Sequence, residues 1–395
     1  MRRSVPLAIQ CIAVAAVLGA SLFYLRIVRA SYLGPSDAKR PAAENWAEDG
    51  FSVAVVWPKS HESSFVEGIQ VALAEIDAGG GPLAGKIRLK MHAEKEESRG
   101  GEAEDVANRG DIVAVIGHHA SAIQASLTYE KNGILFLTPK STSPRLTTHG
   151  FQYVFRLTPD DRAIAQAQAR FAKKIGVKRI GVLYARTAHG ESYVPQFLTR
   201  VRDEELQIAF CRSYLPHENN TRDFRPIIAE AMKEEFDAIM IADEVPRAAR
   251  LVLDLGRMNV KKPILGSDKM DSSELWQIAG EAAGNVYVAS AVDPSASTPE
   301  YLAFHEKFQR HHGSEPGYGG SQGYEALMLV ADAAIASRTA DPLIMATTIR
   351  LNSWKGLFGQ FSFTREGDVI GRRISIKRMQ NGKFITVHSE DGLQP

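Results

Sequence analysis

Asp111 to Thr142, DIVAVIGHHASAIQASLTYEKNGILFLTPKST, reads as strand, loop, helix, strand, loop. Ile112 to Ile116 is an apolar β-branched run, Ala120 to Lys131 has the composition of a helix, and Ile134 to Leu137 is a second apolar run. Two parallel strands joined by a crossover helix end on the same edge of their sheet. The loops that follow them, Gly117-His118-His119-Ala120-Ser121 and Thr138-Pro139-Lys140-Ser141-Thr142, are therefore expected to face one another. That edge is where open α/β sheets hold ligands.

Outside this unit the same alternation continues. Phe51 to Trp57, Lys86 to His92, Phe155 to Thr158, Arg179 to Tyr184, Ile208 to Leu215, Ala238 to Ile241, Pro263 to Leu265 and Val286 to Ala289 read as strands. Phe65 to Asp77, Glu191 to Glu205, Thr221 to Glu234 and Val245 to Met258 carry apolar residues at helical spacing, and a further helix starts at Asp160, with Asp161 also in its first turn. After Asn285 the rhythm changes: Pro299 to His312 and Gly320 to Ala336 are two helices with no strand between, and Gly359 to Phe363 and Arg373 to Lys377 alternate as antiparallel strands. The βαβα order predicts a doubly wound α/β fold, and 395 residues suffice for two such lobes.

Composition narrows the class. The chain is 44% apolar and 24% charged, with a formal net charge of +1, which offers nucleic acid no electrostatic footprint. Its two cysteines, Cys11 and Cys211, exclude a disulfide framework and a cysteine-rich metal site in the folded part. Neighbouring histidines at His118-His119 and His311-His312 need not converge, and no metal or cofactor is expected. No Gly-x-x-x-x-Gly-Lys-Ser/Thr loop, Gly-x-Ser-x-Gly elbow or His-Glu-x-x-His pair occurs. Gly79-x-Gly81-x-x-Ala84 follows a helix where a dinucleotide fingerprint follows a strand. The chain is expected not to be an enzyme.

Ser4 to Leu25 holds no charged residue and is flanked by Arg2-Arg3 and by Arg26 and Arg29. This is an export signal, and it is long enough to span a bilayer if retained, since about 20 residues suffice. Residues 1–30 are read as signal peptide or anchor, with 4–25 as the apolar helix, and 31–50 as a solvated tether. An extracytoplasmic location follows, with tethering to the inner membrane expected.

The ordered series Glu67-Gly68-Ile69, Glu75 to Gly80, Val115-Ile116-Gly117, Thr138 to Thr147, Phe155-Arg156, and Gly317-Tyr318 to Tyr324-Glu325-Ala326 resembles the type I periplasmic binding proteins, and among them the leucine/isoleucine/valine-binding branch that serves ABC transporters. The resemblance runs from about Phe51 to about Phe384. It implies two α/β lobes joined by three crossings, a small amino-acid-like ligand gripped between them, and an ABC permease as partner. On that pattern residues 51–158 plus 290–355 form the first lobe, and 159–289 plus 356–395 the second. The alternative is a membrane-tethered sensory or scaffold protein on the same fold.

A zwitterionic amino acid needs donors for its carboxylate and an acceptor for its ammonium. Ser121 and the amides at a helix N-terminus suit the first, and Thr142, with Ser141 beside it, can serve either end. Asp268, in Gly266-Ser267-Asp268, lies where the family carries an acid for the ammonium. His189 and Glu244 stand where the branch places aromatic side chains, and this exchange points to a polar, amide-like or non-amino-acid ligand. Each position has a plainer reading too. Ser121 can cap its helix, Thr142 can stabilise a turn before Pro144, and Asp268 can sit at a helix N-terminus.

Overall fold

Phe51–Trp57 (β1) is buried at all seven positions because it feeds two cores at once. Phe51, Val53, Val55 and Trp57 pack on one face of the sheet with the helices Ser63–Ala78 and Gly317–Ser337, while Ala54 and Val56 pack on the other. Such two-sided burial is what a parallel sheet clothed by helices requires. Ile87–Ala93 (β2), Ile112–Gly117 (β3), Leu135–Thr138 (β4) and Val154–Arg156 (β5) complete an all-parallel sheet in the order β2-β1-β3-β4-β5. This computed structural model describes residues 46–59, 63–95, 101–119, 121–216, 223–291 and 298–392. The expected leader 1–30 and most of the tether lie outside them, as do Ser60, His61 and Glu62 of the first loop. Among the described residues no helix is long and apolar enough to cross a membrane.

The second lobe repeats the scheme. Arg179–Ala185 (β6), Gln207–Tyr214 (β7), Ala238–Ala242 (β8), Ile264–Gly266 (β9) and Val286–Ser290 (β10) are parallel, and the hairpin Arg373–Gln380 (β14) and Lys383–Asp391 (β15) adds to the β10 edge in antiparallel fashion. The order is β15-β14-β10-β9-β8-β6-β7. Ile239 and Ile241 enter the core on one face, and Ala238, Met240 and Ala242 the core on the other. The chain crosses between lobes after β5, after β10 and before β14, which makes three crossings.

One expected boundary moves. Trp354–Gly356 (β11), Gly359–Phe363 (β12) and Val369–Ile370 (β13) form a separate antiparallel sheet, and Trp354, Leu357, Phe361, Phe363 and Val369 lie in the first lobe's core. The expectation gave 356–395 to the second lobe; the stretch to Ile370 packs with the first because its apolar side chains meet Phe155 and the helix Pro342–Leu351. Val286–Ser290 is a second-lobe strand, as expected, up to its last residue.

Three helices, Trp46–Asp49 in the expected tether, Gly101–Ala107 and Pro342–Leu351, are not expected from the sequence. Others shift at their ends in ways that matter. The helix expected from Glu191 begins at Ala188, with Thr187 accepting from the Gly190 amide, so His189 stands in its first turn. The helix expected from Gly320 begins at Gly317, which puts Tyr318 on it.

Candidate functional site

β3 ends in Gly117, whose φ of 132° and close approach to Val56 leave no room for a side chain: a Cβ there would lie 2.2 Å from the Val56 carbonyl oxygen. The turn that follows buries His118 and Ser121. Ser121 makes no side-chain bond to the helix Ala122–Asn132 that it precedes, so it is not a helix cap. Its hydroxyl donates instead to Glu94 Oε1 at 2.6 Å, and its amide donates to the same oxygen at 3.0 Å. The His119 amide donates to Glu94 Oε2 at 2.7 Å. With the Ser121 proton committed to Glu94, the 2.8 Å contact to His118 Nδ1 is an N–H donating to Ser121 Oγ. His118 Nε2 then accepts from the Tyr129 hydroxyl at 2.7 Å. Burial alone would raise the Glu94 pKa, but the neighbouring His118 ring and the bonds from Ser121 and the His119 amide outweigh it and hold the carboxyl down to about 2.

Glu94 follows β2, which is not adjacent to β3. The order β2-β1-β3 brings both strand ends to one edge, where the Glu94 amide donates to the Trp57 carbonyl at 3.1 Å.

The loop after β4 is held from below. Arg156, fully buried, donates to the carbonyls of Ser141 at 2.9 Å and Ser143 at 2.7 Å, and pairs with Asp368 at 2.9 Å. Gln322 donates to the Pro139 carbonyl. Thr142, between the two clamped residues, accepts the Asp161 amide on its carbonyl at 2.8 Å. The backbone of Thr142 is thus pinned to the start of the helix Asp161–Lys174, just after the chain leaves β5.

From the second lobe come His189 and the segment after β9. His189 Nε2 is 2.9 Å from Ser267 Oγ. Ser192, one turn along, donates to Asp161 Oδ2 at 2.7 Å and lies 3.0 Å from the hydroxyl of Ser143 in the first lobe. Asp268 opens a single 3-10 turn, Asp268–Met270, and its Oδ2 pairs with Lys269 Nζ at 3.2 Å. Lys269 also reaches across to the Lys140 carbonyl at 3.4 Å. Asp161, His189 and Asp268 each offer an atom within 4.8 Å of the others. Asp161 Oδ1 and Asp268 Oδ1 are buried without a hydrogen-bond partner.

The two acids are set apart electrostatically. Burial raises the Asp161 pKa, with Asp268 adding to the rise and His189, Ser192 and Thr142 opposing it. Burial also pushes Asp268 up, but Lys269, His189 and Lys140 outweigh it and leave that carboxyl below its usual range. Lys269 is held charged in spite of burial by Asp268 and Glu244. Tyr318, hydrogen-bonded to Thr158 at 3.0 Å, lies under the Lys140 ammonium at 4.8 Å from its ring centre.

Thr142, His189 and Asp268 thus meet around Asp161, which the sequence reading had treated only as a helix-terminal acid. Glu244 is half-buried, close enough to Lys269 and Arg247 to favour their charged forms, while its neighbour Asp243 is consumed by Arg247 at 2.6 Å and Tyr214 at 2.8 Å. Ser141 contributes its carbonyl to Arg156. Among the described residues no hydrogen bond joins Ser121 to the Asp161 group; its partners are Glu94 and His118. Glu94, Asp161, Lys269 and Ser192, which bond or adjoin the expected site residues, are not among the positions the sequence points to. A charged residue directly after an edge strand, and a second acid behind Asp160, were the faint signals for the first two.

A family model described as periplasmic binding protein matches residues 57–383. The chain is 26% identical over 315 residues to the Leu/Ile/Val-binding protein of Citrobacter freundii, an alignment covering 77% of this chain and 82% of that one. It superposes with a TM-score of 0.74 and 27% identity on an ABC transporter substrate-binding protein from Desulfitobacterium hafniense solved with Leu, covering 86% of this chain and 100% of the other. It shares its fold with a leucine-binding protein from Thermotoga maritima at a TM-score of 0.77 and 24% identity, over 86% of this chain and 99% of that one. Two doubly wound lobes, three crossings and a polar seam between them accord with these matches, and the chain belongs to the periplasmic binding protein family, whose members bind solutes extracytoplasmically rather than transform them.

Proposed function

We propose that this protein captures a small amine-bearing solute, an amino acid or a relative of one, between its lobes and presents it to an ABC permease. The observation that carries the reading is the pair of buried, unpartnered carboxylate oxygens, Asp161 Oδ1 and Asp268 Oδ1, at the seam between Thr142 of the first lobe and His189 of the second. A buried acceptor without a donor is costly, and an ammonium supplies the donors and the opposite charge together. Asp268 is the acceptor of the ligand's ammonium in this reading, with Asp161 beside it and Thr142 and His189 completing the wall. The relatives named for Leu/Ile/Val support an amino-acid-like ligand. Polar side chains at His189 and Glu244 argue for a side chain other than a large aliphatic one.

Residues 4–25 deliver the protein across the membrane and, if uncleaved, tether it there. The length of that apolar run favours a second reading, a tethered sensor that reports the same ligand to a partner. Thermal unfolding of the full-length chain against the common amino acids and simple amines tests capture. A ligand at 100 times its dissociation constant should add about 2.7 kcal/mol of stability. Absence of a shift with every amine would sink the proposal. Co-purification with a permease would separate transport from sensing.

A further inference from the structure

The donors that the sequence offers for a ligand carboxylate at the end of β3 are already engaged. Ser121 Oγ, the Ser121 amide and the His119 amide converge on one acid at 2.6, 3.0 and 2.7 Å, and that acid is the chain's own Glu94. The arrangement is buried: Glu94 is 5% exposed, Ser121 6% and His118 0%. It is braced from behind by the run Tyr129 to His118 to Ser121, so the donors cannot easily turn elsewhere. Among the described residues the donors of this nest are all turned on Glu94, and its negative charge repels a second carboxylate.

The cations of the seam do not replace that pocket. Lys269 Nζ is already paired with Asp268 at 3.2 Å and bonded to the Lys140 carbonyl at 3.4 Å. Two carboxylates, Asp161 and Asp268, each keep a buried oxygen unpartnered. Lys140 Nζ, the other ammonium near Asp268, lies 4.8 Å above the Tyr318 ring, and the seam keeps an unmet need for donors at both acids.

We propose that Glu94 is a built-in carboxylate that closes the first lobe's anion pocket, so that the cleft selects amines whose α-carboxylate is amidated, esterified or missing over free amino acids. This rests on the reading that Asp161 and Asp268 hold an amine. Specificity then arises from both ends: the acids demand the ammonium, and Glu94 rejects the free acid as an unpaired, repelled charge.

The test is isothermal titration of the full-length protein with each common amino acid and, separately, its α-carboxamide. At least one α-carboxamide should bind tenfold or more tightly than its parent acid. Glu94→Gln, which keeps the size and removes the charge, should bring that ratio to within about threefold by improving the free acid. A free amino acid that binds the wild type as well as or better than its carboxamide overturns the inference and leaves amine capture standing. If no acid and no carboxamide binds, this inference falls, and the amine reading falls with it only when the simple amines also give no thermal shift. The wild-type comparison stands even if Glu94→Gln does not fold. A ratio unchanged in a folded Glu94→Gln protein removes Glu94 from the selection and overturns the inference on its own.

Discussion

Arg156 and Asp368 are 212 positions apart in the chain and meet at 2.9 Å inside the first lobe, with Arg156 fully buried. The pair ties the end of β5 to the turn before β13, and the same guanidinium holds the carbonyls on either side of Thr142. Thr147 bonds both partners, at 2.8 Å to the guanidinium and 2.9 Å to the carboxylate, and Arg162 reaches the other Asp368 oxygen at 3.1 Å. Removing Arg156 takes the buried cation from Asp368, leaving it Thr147 and Arg162, and leaves the Ser141 and Ser143 carbonyls without their donor. Arg156→Met should cost about 3–5 kcal/mol in urea unfolding. It should also weaken ligand binding, since Thr142 loses its support. A loss below about 1 kcal/mol would show that the pair is not the brace described.

Gly68 and Gly320 let two helices touch backbone to backbone. A Cβ on Gly68 would sit 2.0 Å from the Gly320 carbonyl oxygen, and one on Gly323 would sit 2.1 Å from the Phe65 carbonyl oxygen. Backbone atoms cannot swing aside as a side chain can. Gly68→Ala should therefore destabilise the protein by at least about 1–3 kcal/mol, the usual cost of overpacking a tight core. The denaturation midpoint measures it, and an unchanged midpoint would mean the helices are further apart.

Acid should loosen the Glu94 nest at a defined place on the pH scale. The Glu94 carboxyl is brought from an ordinary 4.5 to about 2 by its donors, so the folded state favours the ionised form. A depressed acid contributes stability that is complete above its unfolded pKa and vanishes as pH falls through the folded one. A depression of that size is on the order of 3 kcal/mol. Wild type and Glu94→Gln should converge in stability as pH drops from about 4.5 towards about 2. A constant difference across that window would contradict the assignment.

Amine binding should carry its own acid limit. Burial and Asp268 push the Asp161 carboxyl above its usual range, so it takes up a proton at a higher pH than an exposed aspartate does. Affinity for an amine should fall on acidification before ordinary aspartates titrate. Asp268→Asn and Asp161→Asn should each weaken an amine ligand at least tenfold, or about 1.4 kcal/mol, by titration calorimetry. Affinity that survives both substitutions would place the ammonium elsewhere.

The central strands of the first lobe are legible because burial on both faces leaves largely apolar runs such as Phe51–Trp57 and Leu135–Thr138. The helix Pro299–His312 has both ends where Pro299 and Gly313 put them. Gly101–Ala107 escaped because a seven-residue helix of mostly small and acidic residues has too few turns to show a period. Gly359–Phe363 (β12) is legible as an antiparallel strand but packs in the first lobe and not, as expected, in the second, since an alternating pattern says which face is apolar and not which core receives it.

Local pattern by itself determined the α/β class, the two lobes and the edge on which the two loops of Asp111–Thr142 meet, because helical and strand periods are properties of neighbours in the chain. Which charges come to face each other was decided only in three dimensions. Glu94 sits in a charged run, Glu94-Lys95-Glu96-Glu97, that reads as solvated surface, and it becomes the occupant of the Ser121 nest because β1 lies between β2 and β3. Asp161 looks like a helix-terminal acid until the crossing sets it between Thr142, His189 and Asp268. Strand order and lobe closure are long-range outcomes, settled by how apolar surfaces bury one another, and no spacing along the chain encodes them.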